Sequence, residues 1–446
     1  MAAELSETSL GNGPATSRHA PSKLALPAIL LAVFVVPMGI TGTAVALPRI
    51  ADDLGSSPAL LQWAINGFNT AFAIFTLIWG VLSDRVGYKP TFVIGAALLV
   101  AASVVSTVAA GLVMLDIARL LAGVAGAAIF TGSAAILSNA YGPQARARNF
   151  ALFGGVLGLG VALGPTVSGL IVAWTGWRSI FVVFGIFAAV ALLLSWIIPD
   201  VRHERDPGRR LIDFSLLRNR RFLAMSLVPV AAAFGFVTLL TYLPVALSAV
   251  RDMSAGAAGL FMLPMTVPVL LGPITSSRLM ARFPRLTAMA VVYVSLVLLV
   301  VGDLGMFLLN SHTPLGLIIV PMILLGFSFG LPLGLVDGEA IGSVPARSSG
   351  TAAGVLNFMR LGSEAVVIGA YSGVLAWLIR GSVATPGIAD RVAAGATGHA
   401  GAYADAFHVV LWAMIALSAA TGVAIALLHR AERRAAAALT PGRRRC

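Results

Sequence analysis

The chain has 446 residues, of which 58% are hydrophobic and only 11% are charged, and its mean hydropathy is +0.94. Soluble domains carry about 25% charged residues, so this composition excludes an ordinary soluble protein. Apolar runs of about 18 residues or more recur along the chain, and each is long enough to cross a bilayer. Such spans must be helical, because in lipid the backbone satisfies its own hydrogen bonds. The only cysteine is Cys446, which excludes an internal disulfide.

Twelve membrane helices are predicted in chain order. The first run is too long for a signal-peptide core and precedes no small-residue cleavage site, so we expect it to be retained. The first six helices are predicted near 24–47, 61–82, 91–110, 114–138, 150–173 and 178–198. The second six are predicted near 223–247, 256–281, 287–309, 314–340, 349–379 and 402–428.

Charge predicts how these helices are oriented. Most of the 30 lysines and arginines fall in segments on the same side as both chain ends. Because cytoplasmic loops are enriched in Lys and Arg, we expect both termini to be cytoplasmic in a multi-pass protein of the cell inner membrane. The net charge of +12 then reflects this bias and contact with anionic lipid heads at the cytoplasmic face, and it argues against nucleic-acid binding.

One long cytoplasmic connection divides the chain into two equal sets of helices, and a weak internal repeat supports that division. Arg85 in GVLSDRVGYKP and Arg282 in SRLMARFPRL occupy equivalent positions in the two sets. Two six-helix bundles around a central path are typical of alternating-access transporters. The predicted parts are a disordered N-terminus (1–22), a first bundle (23–199), a linker (200–222), a second bundle (223–429) and a basic cytoplasmic tail (430–446).

Several motifs, taken in order, resemble those of the major facilitator superfamily. GVLSDRVGYKP looks like the signature loop between helices 2 and 3, and ARLLAGVAGAA resembles the helix 4 motif. GLGVALGPTVSGL, residues 158–170, resembles the antiporter motif of helix 5, and TGWRSIF follows it. ALPRIADDLGSSPALLQW, LLRNRRFLA and SSGTAAGVLNFMR are similar to stretches of the drug–proton antiporter branch that usually has fourteen helices. The resemblance covers about residues 24–430.

The resemblance implies an all-α membrane protein of the major facilitator fold that exports a lipophilic or amphipathic small molecule by alternating access in exchange for protons. No cofactor is expected beyond the proton as coupling ion, and a monomer is expected. Two departures bear on coupling: Gly39 stands where helix 1 of the branch usually carries an acid, and Ala122 stands where helix 4 usually has glutamine. The linker is also too short for the two extra helices of that branch.

Other functional classes receive less support. An importer or facilitator of a small metabolite, with the same fold and no proton coupling, is the main alternative. An intramembrane enzyme is remote, because the sequence has no His-Glu-x-x-His motif, no convincing Ser–His pair at membrane depth and no phosphate loop. A channel is disfavoured because the acidic residues form no ring.

The signature loop is predicted to act as a conformational latch. A carboxylate after helix 2 can face the positive N-terminal end of a helix, a contact worth ~0.3–1 kcal/mol when exposed. The resemblance names the start of helix 11, near Ser348 to Thr351, as that partner. The alternative is that the loop charges only set topology. The latch residues are Asp84, Arg85, Gly87 and Lys89.

The helix 5 motif predicts close helix packing and a kink, because small residues let helices approach and an internal proline bends its helix. The residues concerned are Gly158, Gly164, Pro165 and Gly169.

Charges inside membrane helices are costly and usually functional. Arg360 and Glu364 share one face of helix 11, at depths of ~16 and ~22 Å in the membrane. Burial is expected to raise the pKa of Glu364, and Arg360 to lower it, and these opposed effects suit a residue that carries a proton. Asp337 is the second choice, whereas Asp303 and Glu339 are interpreted as structural. The residues predicted for proton coupling are Glu364, Arg360, Asp337 and the i,i+3 pair Asp116 and Arg119, for which a structural ion pair is an equal alternative.

A central cleft lined by helices 1, 2, 4, 5, 7, 8, 10 and 11 is predicted to hold the substrate. Its candidate residues are mostly neutral, which suits a lipophilic or amphipathic molecule held by apolar contact. Helix packing is the alternative role for each of them. They are Asn66, Asn69, Phe236, Thr238, Tyr242, Phe261, Met262, Met265, Asn357 and Phe358.

Overall fold

The computed structural model of the chain describes residues 24–141, 143–200, 218–344 and 349–438, together with 22 and 216. All regular structure in these residues is helical. The first six helices, numbered in chain order, are Ala25–Leu54, Pro58–Val86, Tyr88–Thr107, Leu112–Ala140, Pro143–Thr175 and Arg178–Leu194.

Three helices of the second half contain breaks. Helix 7 consists of Arg220–Ala232 and Thr238–Arg251, joined by a π-helix at Ala233–Val237. Helix 8 consists of Ala255–Phe261 and Leu263–Arg282, and helix 10 of Ile319–Gly330 and Leu335–Gly342. Helices 9, 11 and 12 are Ala288–Gly305, Ser349–Ser382 and Ala400–Ala438, and a short helix at Pro386–Ala393 precedes the last.

The number of membrane spans agrees with the sequence. Within the described residues, eleven helices are long and apolar enough to cross a membrane, and helix 5 adds a twelfth when its two bent segments count as one span. The all-α fold class is therefore confirmed. Counted as twelve spans, the described chain has both of its ends and the connection between helices 6 and 7 on the same side of the bundle. We call this the linker side and the other the opposite side.

Two helices extend well beyond their predicted ends, by seven residues or more. Helix 1 continues to Leu54 instead of ending near residue 47. Two contacts stabilise its last turn: the Trp177 indole donates a 3.0 Å hydrogen bond to the Asp53 carboxylate, and Arg178 forms an ion pair with the same carboxylate. Helix 12 continues to Ala438, about ten residues past its predicted end. Residues 1–21 and 439–446 lie outside the described chain, as does most of the linker, so their predicted disorder and cytoplasmic position stay predictions.

The core is formed by helix pairs within each half. In the first half, helix 1 packs against helix 5, and helix 4 packs against helices 2 and 3. In the second half, helix 10 packs against helices 8 and 9, and helix 7 against helix 12. Helices 1, 2 and 5 of the first half contact helices 7, 8 and 11 of the second. These contacts define the interface in which the cleft is predicted.

Helix 7 begins with a specific N-cap. The Asn219 side chain accepts hydrogen bonds from the backbone N–H groups of Arg221 and Phe222, and its amide donates to the Ser343 carbonyl at 2.8 Å. The cap therefore satisfies free backbone donors and also ties helix 7 to the end of helix 10.

We expect Asn219→Ala to lower the free energy of unfolding by about 1 kcal/mol, because it removes the cap. Asn219→Asp is the matched control, since it keeps the cap acceptor and loses only the bond to Ser343. Unfolding in mixed micelles of increasing denaturing detergent measures both variants. A cap of no importance would leave the alanine variant as stable as the wild type.

Candidate functional site

The two halves meet closely on the opposite side, where helix 5 crosses helix 8. The Thr166 hydroxyl donates to the Gly259 carbonyl at 2.8 Å. A Cβ added at Gly169 would lie 2.6 Å from the Ala255 carbonyl oxygen, and one at Gly256 would lie 2.9 Å from the Ala173 Cβ. Backbones this close leave no room for larger side chains, so the crossing closes the opposite side of the interface.

A polar and aromatic contact joins helices 2, 7 and 11 on the same side. The Asn66 amide donates to the Ser372 hydroxyl at 3.4 Å, across the two halves. Tyr242 stacks on Tyr371 with ring centroids 4.7 Å apart. Asn66 and Tyr242 are both buried, so neither faces lipid in this conformation. Sequence reasoning selected these two residues but missed Ser372 and Tyr371.

Because the Asn66–Ser372 bond joins the halves, either Asn66→Ala or Ser372→Ala should weaken the closed opposite side by about 0.5–1.5 kcal/mol. Asn66→Ala should in addition change the relative potency of competing substrates, with little change in melting temperature. Competition assays with a panel of lipophilic small molecules, beside a thermal melt, measure both effects. An unchanged potency order with a large loss of stability would make Asn66 a packing residue only.

An acidic and basic cluster lies toward the linker side on helices 10 and 11. The Arg360 guanidinium donates to the Asp337 carboxylate at 2.6 Å. The Arg360 side chain is 21% exposed and that of Asp337 is 36% exposed, and Glu364 is half-buried one turn along helix 11. The sequence paired Arg360 with Glu364, whereas the direct partner is Asp337, because the turn in helix 10 brings a distant carboxylate closer. Glu364 is thus left beside the ion pair rather than within it.

Helix 4 contributes a buried arginine whose bonding differs from the prediction. Arg119 donates to the Ala64 carbonyl at 2.9 Å and to the Gly39 carbonyl at 2.6 Å. Its guanidinium lies 4.7 Å from the centre of the Phe68 ring. Neither carboxylate oxygen of Asp116 has a hydrogen-bond partner among the described residues. Asp116 and Arg119 therefore form no direct hydrogen bond or ion pair in the described structure, because the long arginine side chain reaches the backbone of helices 1 and 2 instead.

The absence of a side chain at Gly39 fits this arrangement. A Cβ there would lie 3.9 Å from Arg119 Nη1, so Gly39 borders the guanidinium. An enclosed cavity of about 10 Å³ adjoins Gly39, Arg119 and Ser103. That volume corresponds to roughly one water molecule.

The other predicted cleft residues fall into two groups. Most are buried between helices; Phe236, for example, stacks on Phe329 of helix 10 at 4.5 Å, and the Thr238 hydroxyl bonds to the Ala233 carbonyl. The buried group also contains Asn69, Met262 and Met265. The half-exposed group consists of Phe261, Asn357 and Phe358.

The helix 5 motif is bent, and the bend has an identifiable cause. The segments before and after residue 162 meet at 42°. Pro165 has no N–H to donate to the Val161 carbonyl, and the Thr41 hydroxyl of helix 1 lies 3.5 Å from that carbonyl oxygen. Gly164 packs against Thr41, and Gly158 faces Leu333 of helix 10. The motif therefore combines a kink with close packing onto both halves.

The signature loop turns tightly between helices 2 and 3. Gly87 has φ +105°, a conformation that favours glycine, and it accepts a hydrogen bond from the Thr91 hydroxyl at 2.8 Å. Lys89 donates to the Trp196 carbonyl at 3.2 Å, and Arg85 is exposed. The Asp84 side chain and those of residues 349–351 lie outside the described part of the structure, as does residue 348 entirely. The predicted latch contact stays a prediction.

The geometry offers no metal centre within the described residues, where no group of three or more His, Cys, Asp or Glu side chains converges. What it does offer is a bundle of two halves, closed at one side and carrying a charged cluster toward the other. The profile of the Major Facilitator Superfamily matches residues 29–367. The chain belongs to the Major Facilitator Superfamily. It is a multi-pass membrane transporter and not an enzyme.

Curated relatives point to the same group of transporters. The chain is 30% identical over 418 residues to the probable actinorhodin transporter of Streptomyces coelicolor, with 78% of this chain and 71% of that protein covered. It is 26% identical over 394 residues to the tetracenomycin C resistance and export protein of Streptomyces glaucescens, with coverages of 74% and 71%.

Solved structures support the fold. A bacterial homologue of the human lysosomal transporter Spinster, in an inward-facing and unoccupied conformation, superimposes with a TM-score of 0.69. Sequence identity to that protein is 18%, and the match covers 92% of this chain and 98% of that chain. At this identity the likeness establishes the fold alone.

Proposed function

We propose that this superfamily member exports a lipophilic or amphipathic small molecule, such as an antibiotic or another secondary metabolite, in exchange for protons. The observation that carries the proposal is the charged cluster of Asp337, Arg360 and Glu364, half-exposed toward the linker side of an interface that is closed on the opposite side. Relatives that are named as an antibiotic export protein and as a drug efflux pump support the direction of transport.

In this proposal the linker side is cytoplasmic, as the distribution of Lys and Arg predicts. The structure then corresponds to an inward-facing conformation, in which substrate reaches the interface from the cytoplasm or the inner leaflet. Cytoplasmic arginines contact anionic lipid heads, and one copy of the chain carries out the whole cycle. The helix 5–helix 8 crossing opens, and the linker side closes, in the alternate state.

In this proposal, proton coupling depends on whether Arg360 pairs with Asp337 or with Glu364. Arg360 is bonded to Asp337 in this conformation, which leaves Glu364 free to hold a proton. When helix 10 or helix 11 moves, Arg360 can turn to Glu364 and displace that proton, since an adjacent cation favours the ionised carboxylate. Asp116 and Arg119 are a second candidate site for proton coupling, in the first half. Substrate is held by the mostly apolar residues between the halves.

Flux in proteoliposomes under an imposed pH gradient tests the proposal, with ethidium as a fluorescent lipophilic probe. For the protein copies whose linker side faces outward, we expect uphill uptake when the lumen is acidic, and its collapse on addition of a protonophore. A proton-coupled importer would accumulate the probe with the opposite gradient. A facilitator would equilibrate it at the same rate with or without a gradient, and either result would overturn the proposal.

The latch adds a prediction of its own. Asp84→Asn should lower the transport rate and favour the inward-facing conformation, because it removes a carboxylate–helix contact worth ~0.3–1 kcal/mol, and up to ~2 kcal/mol when partly buried. Expression and membrane insertion should not change. Thiol-reagent access to engineered cysteines at the linker side measures the shift, with Arg285→Gln, an exposed charge between helices 8 and 9, as the control for a change of charge on that side. Unchanged access together with unchanged transport would contradict the latch.

A further inference from the structure

Helix 9 carries a carboxyl group that the proposed cycle does not use. Asp303 is fully buried, at 0% exposure. Neither of its carboxyl oxygens has a hydrogen-bond partner among the described residues, and none of the described salt bridges includes it. The sequence suggested a structural ion pair at this position, and the described part of the chain provides no partner for one.

The carboxyl group lies directly against the backbone of helix 7. A Cβ added at Gly235 would lie 2.5 Å from Asp303 Oδ2 and 3.0 Å from Oδ1, so only glycine accommodates this contact. At the same place helix 7 changes to the π-helix Ala233–Val237. Such π segments are rare and are frequently found at functional sites. The buried acid and the irregular backbone therefore form one feature of the molecule.

The helices around Asp303 bring no counter-charge to it. Helix 7 carries no Asp, Glu, Lys, Arg or His from Phe222 to Val250, and helix 10 carries none from Ile319 to Gly330. Helix 12 brings Asp405 and His408 toward the opposite side, where the His408 imidazole lies 3.1 Å from the Leu309 carbonyl oxygen, six residues beyond Asp303. An ionised carboxylate in these surroundings would be unpaired and desolvated, so this packing suits the neutral acid.

A nearby hydroxyl offers the ionised form an alternative partner. The Thr238 hydroxyl donates to the Ala233 carbonyl at 2.7 Å, across the π-helical spacing of five residues. Thr238 lies about one turn beyond Gly235 on helix 7. If helix 7 returns to regular α-helical spacing, this bond is lost, and the hydroxyl can donate either to the carbonyl four residues back, as Thr241 does, or to the Asp303 carboxylate. The charge on Asp303 and the π segment of helix 7 are then linked.

The π segment of helix 7 is connected to the charged cluster through aromatic packing. Phe236 follows Gly235 and stacks on Phe329 with an interplanar angle of 13°. Phe329 stands just before the turn of helix 10, which contains Gly334 at φ +78° and precedes Asp337. A change in helix 7 at this point therefore acts on the segment that positions the Asp337–Arg360 pair.

We propose that Asp303 is a second proton-exchanging acid, outside the contact between the halves, and that its proton stabilises the π-helical form of helix 7 and with it this conformation. Because the acid is sealed in this form, exchange takes place after Ala233–Val237 has returned to α-helical spacing. Only the place of Asp303 protonation in the transport cycle rests on the proposed function. Its test measures conformation rather than transport, so the two can fail separately.

Distances between two spin labels test the proposal in the purified full chain. Cysteines replace Val86 and Arg282, at the linker-side ends of helices 2 and 8, and Cys446 is replaced by serine. Glu364→Gln in this background removes the other principal titrating group. We expect the distance distribution still to change with pH, and added Asp303→Asn should hold it at its low-pH form, because asparagine resembles the neutral acid.

Two further variants sharpen the result. Thr238→Val should move the midpoint of the remaining pH response, since the hydroxyl bonds to Ala233 in the π-helical form and can bond to Asp303 in the other form, whereas Leu299→Met, which changes another side chain packed on Gly235, should not move it. Asp303→Leu replaces asparagine if that variant does not fold. Infrared spectra should show a protonated-carboxyl band that Asp303→Asn removes. Identical pH responses with and without Asp303, or no band assigned to it, would overturn the proposal.

Discussion

Glu364→Gln should abolish uphill accumulation of substrate, to the level of protein-free liposomes, while downhill exchange continues. The glutamine keeps the size of the side chain but cannot exchange a proton, whereas Arg360 remains bonded to Asp337. The pH dependence of accumulation should disappear with it. Transport of a labelled probe, with and without an imposed pH gradient, measures both parts of the expectation.

Glu339→Gln is the matched control, because Glu339 is an acid on the neighbouring helix that is paired with Arg221 at 2.5 Å near the linker. It should leave the gradient dependence unchanged. If the Glu364→Gln variant drives accumulation at the wild-type rate across the pH range, Glu364 has a structural role, and Asp337 is then the residue assigned to proton coupling.

Gly169→Ala should give the second large effect, because it disrupts the helix 5–helix 8 crossing. The added Cβ would lie 2.6 Å from the Ala255 carbonyl oxygen, and a backbone atom cannot move aside as a flexible side chain can. Overpacking costs about 1–3 kcal/mol, which is roughly a 5- to 150-fold change in a two-state equilibrium. The closed opposite side should therefore lose population, and transport should fall.

Gly154→Ala in the same helix is the control, since no atom lies within 4 Å of a Cβ at that position. Label distances across the opposite side, measured for both variants, report the population of the closed form. Equal distributions in Gly169→Ala and the wild type would show that this crossing does not hold the opposite side closed.

The span pattern was predictable because of the bilayer itself. Each long apolar run has to be a helix, since no other single segment satisfies its backbone in lipid, and the glycines around Pro165 predicted close packing and a kink. Helix ends were less predictable, because polar residues such as Asp53 extend a helix when a partner from another helix binds them.

The partners of the charged side chains were not predictable from local spacing. The i,i+4 rule joined Arg360 to Glu364, yet Asp337 lies 23 residues away along the chain and becomes the direct partner through the turn in helix 10. Arg119 likewise bypasses Asp116 and reaches two backbone carbonyls, which carry no signal in a side-chain pattern.

The π segment of helix 7 was missed for a related reason. Its five residues, AFGFV, are ordinary for an apolar span. Only the approach of helix 9 shows why a glycine stands at Gly235. Ser372 was missed because a serine among small residues on a membrane helix follows no pattern of its own.

Proton release on substrate binding tests the central claim most directly, namely that substrate and proton compete through the charged cluster. Detergent-solubilised protein in weak buffer, with a pH indicator, is mixed with ethidium on the acidic side of neutrality. We expect wild-type protein to release protons as the probe binds. Glu364→Gln should bind the probe and release none beyond the part that Asp303 contributes. No release from the wild type at any pH, or equal release from both proteins, would contradict the account.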